Sequence, residues 1–264
     1  MKNLFKIICL LTFAVALSLN LSAQKTTDEK AEAILKRAIE KLGGERYLQV
    51  KTLYSTGNFT QFREGITGIP NKFIDVIAYP DRERTEFKQS GIKIIQTNFG
   101  DKGWIFDGGT QNIREQDPKE LDGFKRSMRV SIDGLLRGYW RNQTVSLIYV
   151  GRREAGLGKR NEVVRITYSD GFAVEFEFSA TDGMPSKAVY QGKNADDAEA
   201  KEEDRYAQFA NVQGVLVPFI IDHFINGSQT SRINYLNVEL NKNVPDSIFN
   251  KPTEVKELKK DLKL

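Results

Sequence analysis

The sequence predicts an α+β fold, an extended antiparallel sheet partnered by amphipathic helices, and three observations carry that reading. Two helices mark their own ends, most of the remaining chain alternates apolar and polar residues with a period near two, and no Pro-, Gly- or Ser-rich linker or internal repeat divides it. The composition agrees, with 264 residues, 40% of them hydrophobic, 16 Phe, 9 Tyr, and 39 basic against 35 acidic side chains. Such fractions exclude a disordered polyelectrolyte, a collagen-like repeat and a polytopic membrane protein. A single histidine cannot build a His-rich zinc site or a transition-metal cluster, so neither metal nor cofactor is expected.

The chain opens as an address. Lys2 and Lys6 precede an almost unbroken apolar run over 7–17, and Leu21-Ser22-Ala23 offers a small-residue cleavage site, the pattern of a signal peptide over 1–23. The run is shorter than the ~20 residues a bilayer-spanning helix needs. Cys9 lies inside it, not after the cleavage point, which argues against a lipidated first residue. Residues 24–264 are then expected as one monomeric domain in the periplasm, thiol-free and held by its core. Export also makes nucleic acid an improbable partner.

The first helix covers 27–42, where Ala31, Ile34, Leu35, Ala38, Ile39 and Leu42 follow the spacing of one helical face. Thr26 and Glu29 read as its capping box and Gly43-Gly44 as its stop. A second helix is expected over 117–139, with Asp117 at the N-cap, Pro118 next and Glu120 closing the box. Its apolar stripe is Leu121, Phe124, Met128, Ile132, Leu135, Leu136 and Tyr139, while Gly123 and Gly134 soften it and predict a break. Strands are expected over 52–62, 71–79, 82–89, 92–99 and 103–107, then 144–151, 161–169, 171–179, 186–191, 204–211, 215–225 and 230–240. Asp101-Lys102-Gly103, Ser169-Asp170-Gly171 and Thr181-Asp182-Gly183 read as turns. The clearest alternation sets Phe172, Val174, Phe176 and Phe178 against Ala173, Glu175, Glu177 and Ser179, one apolar face and one solvated face. Six acids in 194–204 read as a solvated loop.

Chemical motifs are scarce. Asp222 and His223 fall on opposite faces of a strand, and no Gly-x-Ser-x-Gly elbow accompanies them, so His223 reads as structural and no catalytic residue is assigned. The glycines of 151–158 lack the Gly-Lys-Ser/Thr ending of a phosphate loop. The segment 125–160 holds nine basic residues against Asp133 and Glu154, either a solvated face or a docking surface for an anionic head group or acidic partner. The aromatic strands leave two outcomes open: the helices fill the sheet's face as an ordinary core, or the sheet curves around a cavity for an apolar ligand.

Four elements in order carry a resemblance: Ala38-Ile39-Glu40-Lys41-Leu42-Gly43-Gly44, Gly103-Trp104-Ile105-Phe106-Asp107-Gly108, Gly138-Tyr139-Trp140, and the closing Leu240-Asn241-Lys242-Asn243-Val244-Pro245-Asp246-Ser247-Ile248-Phe249. Together they resemble the bacterial outer-membrane lipoprotein-sorting and lipoprotein-carrier superfamily. The resemblance implies a strongly curved antiparallel sheet, an unclosed β-barrel, with helices as plug or lid over a hydrophobic cavity for acyl chains. It further implies a non-enzymatic carrier of lipid or acylated lipoprotein with a membrane delivery partner. On this reading the cavity wall is Phe87, Trp104, Phe106, Phe172, Val174, Phe176 and Phe178, the lid's underside is Phe124, Met128 and Leu135, and Arg126 and Arg129 meet an anionic head group or partner. A hydrolase using distributed carboxylates and an envelope scaffold using the basic 125–160 surface are the alternatives.

Overall fold

A computed structural model describes residues 26–193, 198–260, 262 and 264; the expected signal peptide lies outside them. The elements are β1 (Thr26–Thr27), α1 (Glu29–Leu42), α2 (Glu45–Leu48), β2 (Thr52–Arg63), β3 (Ile66–Thr67), β4 (Asn71–Ala78), β5 (Arg82–Gln89), β6 (Ile92–Phe99), β7 (Lys102–Asp107) and β8 (Asn112–Glu115). They continue as α3 (Pro118–Val130), α4 (Ile132–Leu136), β9 (Val145–Glu154), β10 (Arg160–Tyr168), β11 (Ala173–Ser179), β12 (Pro185–Lys193), β13 (Glu199–Val212), β14 (Val215–Ile225) and β15 (Ser228–Leu240). All the longer strands join one sheet in the order β1-β9-β10-β11-β12-β13-β14-β15-β2-β4-β5-β6-β7-β8, antiparallel except where β1 runs parallel to β9. Its two ends, β1 and β8, do not pair, so the fold is an unclosed antiparallel barrel with few helices.

Local sequence accounts for most boundaries. The Asp117 carboxylate accepts from the Glu120 amide at 2.9 Å and the Glu120 carboxylate accepts from the Asp117 amide at 2.9 Å, the reciprocal cap expected there. The cap of α1 differs: Asp28, not Thr26, accepts from the Lys30 amide, because Thr26 and Thr27 are drawn into pairing with β9. The second helix breaks at Ser131, away from both glycines. Ser131 closes α3 and caps α4, its hydroxyl accepting from the amides of Asp133 and Gly134. Gly134 is needed for close approach, since a Cβ there would sit 2.3 Å from the Met128 carbonyl oxygen. The 101–103 turn falls slightly earlier, with Gly100 in the left-handed region and strand resuming at Lys102. Short β8 and α2 were not foreseen.

Two expectations about solvated segments are corrected. Glu199–Asp204 is strand and not loop, because its acids are neutralised in place: Glu203 pairs with Lys187 on the neighbouring strand β12 and with Lys201 and Arg205 two residues to either side on β13 itself. Likewise the polar face of β11 is covered, with Glu177 only 1% exposed between Arg153, Lys187 and Asn161.

The two faces of the sheet have different covers. On the inner face α1 presents Ala31, Leu35, Ala38 and Leu42 to Leu147, Val164, Ile166, Val174, Phe176 and Phe178, forming the main core with α4 and Trp140. On the outer face the segment after β15, with single 3-10 turns at Asp246–Phe249 and Val255–Glu257, crosses β4 to β7. Phe249 packs on Val76 and Ala78, while Leu258 joins Ile95, Trp104 and Phe106. The Trp104 indole donates to the Phe249 carbonyl at 2.9 Å, fixing that cover.

Candidate functional site

The inner face is filled at one side and hollow at the other. Where α1 ends, a cavity of about 280 Å³ opens beneath α3 and α4, bounded by Leu53, Ile77, Val217, Ile221, Ile233 and Leu240 of the sheet. Val130, Ile132, Ser127 and Asp133 close it from the helices, and Tyr79, Tyr206 and Tyr235 stand at its edges. Its lining is mainly aliphatic and aromatic, the usual character of a small-ligand pocket, at the lower edge of the ordinary range of about 300–1,000 Å³.

The roof is pinned at both ends by polar contacts. At one end Asp133 accepts from the Tyr47 hydroxyl at 2.6 Å and from the Tyr79 hydroxyl at 3.0 Å. Arg137 bonds Asp133 at 3.3 Å and lies over both rings, 4.5 Å from Tyr47 and 4.1 Å from Tyr79. Burial, then the Asp133 charge, pushes both phenols well above their ordinary range, so they remain donors at any physiological pH. At the other end Arg126 stacks over Phe172 and Tyr190 and donates to the Gln191 carbonyl, and Arg129 pairs with Asp170 at 2.5 Å over the Tyr168 ring. Arg126 and Arg129 are therefore anchors of the roof, with their charges already engaged.

The same holds along the basic segment. Lys125 pairs with Asp101, Arg141 with Glu32, Arg152 with Glu162, and Arg153 with Glu175 and Glu177. Much of the positive charge of 125–160 is thus offset in space by acids outside the segment.

The expected wall and lid residues divide among several environments. Val174, Phe176 and Phe178 are fully buried beneath α1, in solid core, and Phe172 stacks with Tyr168 under Arg126. Trp104 and Phe106 are turned to the outer face, because Trp104 lies in register with Thr97, Arg84, Val76 and Tyr54, the row that the tail covers. Phe87 does face inward but borders a second hollow of about 490 Å³ with Phe59, Asn71, Ile92 and Ile94. Of the lid residues, Leu135 is in the core, while Phe124 and Met128 look toward Pro80, Tyr139, Trp140 and Tyr168 on the other side of α3. Of the cavity residues that sequence reasoning missed, Ile77, Val217, Ile221 and Ile233 are strand residues and Val130 ends α3; what the sequence pattern lacked was a marker for which stretch of sheet is left hollow.

His223 sits on the inner face with both ring nitrogens occupied, Nδ1 at 2.7 Å from Asp204 and Nε2 at 3.4 Å from Glu202. Burial alone would lower its pKa, but the hydrogen bond to Asp204 and the two acidic charges outweigh it and raise the value. Asp222 faces the other way and binds Arg232 and Gln229, as expected from strand alternation. Among the described residues no group of three or more His, Cys, Asp or Glu side chains is arranged to hold a metal ion.

An unclosed antiparallel barrel with helices laid into its inner face is a fold this chain shares with solved structures, a LolA superfamily protein among them. A LolA superfamily protein from Nitrosomonas europaea has a TM-score of 0.56 at 15% identity, covering 84% of this chain and 97% of that one. A Vibrio parahaemolyticus domain described for outer membrane lipoprotein sorting gives 0.56 at 11%, covering 87% and 100%. A DUF1329 family protein from Desulfovibrio piger gives 0.57 at 11%, covering 83% and 97%. No protein-family pattern and no curated protein matches the sequence. At these identities the likeness establishes the fold.

Proposed function

We propose that this chain is a periplasmic, non-enzymatic carrier that holds the acyl chain of a lipid or acylated lipoprotein in the cavity beneath α3 and α4 and passes it to a membrane-bound acceptor. The observation that carries the reading is the apolar hollow itself, left on the inner face of an unclosed sheet where the first helix stops and roofed by a helix interrupted at Ser131. Ionisable groups around it are tied to one another: Asp133 to Tyr47, Tyr79 and Arg137, and Asp204 to His223 and Tyr190. That arrangement fits a binding chamber with a braced roof better than a catalytic cleft.

The cavity is too small for a whole long acyl chain, so cargo must shift the roof. The α3 end, held by the partly exposed Arg129–Asp170 pair, is the cheaper end to move, and the half-buried, multiply bonded Asp133–Tyr47–Tyr79 cluster is the hinge. Each methylene buried contributes ~0.8 kcal/mol, so a few of them offset the loss of such a pair. Native mass spectrometry after gentle purification, with displacement of a fluorescent fatty-acid probe, tests the reading. The expected result is co-purifying lipid and saturable probe binding that Ile221→Trp, which fills the cavity, abolishes while the protein stays folded. Unliganded protein that ignores the probe, or binding unchanged by Ile221→Trp, sinks the proposal.

A further inference from the structure

The inner face continues past the cavity along β4 and β5, and there it turns acidic. Register places Ser55, Asp75 and Thr85 in one row across β2, β4 and β5, and Ile77, Glu83 and Asn98 in the next row across β4, β5 and β6. Residues in register share a face, and Ile77 already lines the cavity, so Asp75 and Glu83 look inward beside it. The Asp75 carboxylate accepts from the Thr85 hydroxyl at 2.7 Å. Neither carboxylate forms an ion pair with a described residue, and the arginines of β5 are on the other face, where Arg82 meets Asp246 and Arg84 meets Glu86.

Two further atoms in these rows lack a partner among the described residues. Ser55 is 0% and Asn98 2% exposed, yet the Ser55 hydroxyl and the Asn98 side-chain carbonyl make no hydrogen bond. A buried polar atom without a partner costs about 1–3 kcal/mol, so a guest that supplies hydrogen bonds to these two is favoured. Around the acids runs a chain of rings: Phe59 to Phe87 at 5.8 Å, Phe87 to Phe73 at 6.4 Å, Phe73 to Tyr235 at 5.8 Å, and Tyr235 to Phe219 at 6.4 Å between centroids. Carboxylates, unpaired acceptors and aromatic faces all favour one kind of guest, a cation rich in N–H donors.

We propose that Asp75 and Glu83, with Ser55 and Asn98, form a subsite for a primary ammonium group, so that the cavity prefers amphiphiles with a cationic amino head to those with a carboxylate or hydroxyl. This rests on the cavity reading above and specifies its ligand class. Tyr235 joins the two parts: it lines the cavity, and besides its burial the acidic groups acting on it are Asp75, Glu83 and Asp133. Burial raises Asp75 to about 6, and burial together with the Asp75 charge raises Glu83 to about 8. In the empty protein at pH 7 Glu83 thus keeps a proton; a bound ammonium supplies the compensating charge and that proton leaves to solvent.

The test is calorimetric titration of the full chain with n-dodecylamine, dodecanol and dodecanoic acid at pH 7, in two buffers of different ionisation enthalpy. The expected result is amine binding at least about ten-fold tighter than either competitor, with proton release read from the buffer dependence. Glu83→Gln and Asp75→Asn, which replace an ionisable carboxyl by a neutral amide of the same shape and should melt no lower than the parent, level the three affinities and abolish the release. The protein's net charge of +4 gives no general attraction for amines, so non-specific binding does not imitate this result. Equal affinities for the three, or an amine preference that survives both substitutions, overturns the subsite while leaving the cavity reading intact. Failure of all three to bind overturns both.

Discussion

The inner surface of this sheet treats two neighbouring regions in opposite ways. Over β9 to β11 the helix α1 packs in one buried cluster with Val174, Phe176 and Phe178, which keep no access to solvent or ligand. Over β13 to β15, β2 and β4 the covering helix is interrupted at Ser131, and equally apolar residues border empty space. Strand chemistry is the same in both; what differs is the continuity of the helix laid upon it. The fold therefore gains its rigidity and its vacancy from one sheet, by distributing 14 residues of α1 to one side and a broken α3–α4 to the other.

That contrast can be broken by substitution. Phe176→Ala, in the filled region, should cost about 3–5 kcal/mol in urea unfolding, whereas Ile221→Ala in the hollow region should cost at most about 2 kcal/mol, because the removed methyls already adjoin a void. Equal costs would mean the hollow is packed in solution. Next in size, Asp133→Ala deprives Tyr47, Tyr79 and Arg137 of their common partner and should cost about 3 kcal/mol, with faster proteolysis in 118–136; a loss below about 1 kcal/mol would remove the cluster from its role as hinge.

The acids of β4 and β5 sharpen the comparison through pH. Glu83 is raised in the folded state to about 8 from an ordinary value near 4.5, so between these limits the folded protein binds more protons than the unfolded one and stability falls as pH rises. Glu83→Gln should therefore flatten the decline in melting temperature from pH 5 to pH 8 and recover on the order of 2 kcal/mol at pH 8, allowing for its partial contact with solvent. A variant whose pH profile superimposes on the parent's would show Glu83 ionised throughout. The smallest effect is expected at the movable end of the roof: Arg129→Ala should cost less than about 1 kcal/mol, yet hasten probe uptake in stopped-flow fluorescence.

How much of this was legible beforehand varies with the range of the interaction. Strand limits follow local alternation, and expected strands lie within a few residues of those formed, apart from the acidic start of β13. The Asp117–Pro118–Glu120 cap is a three-residue pattern and reads directly. Choosing which strand face is interior needs the cover, and covers come from far away in sequence: Trp104 and Phe106 were assigned inward because the tail residues Phe249 and Leu258, which bury them from outside, are about 150 residues distant. Acids mostly outside the segment, such as Asp101, Asp170 and Glu32, likewise went unread as partners of 125–160. Ile248, Phe249, Val255 and Leu258, apolar residues in a segment without strand rhythm, were the available clue.

The outer tail also imposes an order of events on the chain as it leaves its point of synthesis. Strands β4 to β7 can pair as soon as they emerge, but the aromatic row Trp104–Phe106 stays bare until residues 244–260 arrive, after every strand of the sheet has been made. During that interval the nascent molecule carries a sticky exterior beside an already hydrogen-bonded interior, which is when an escorting factor or a self-association error would act.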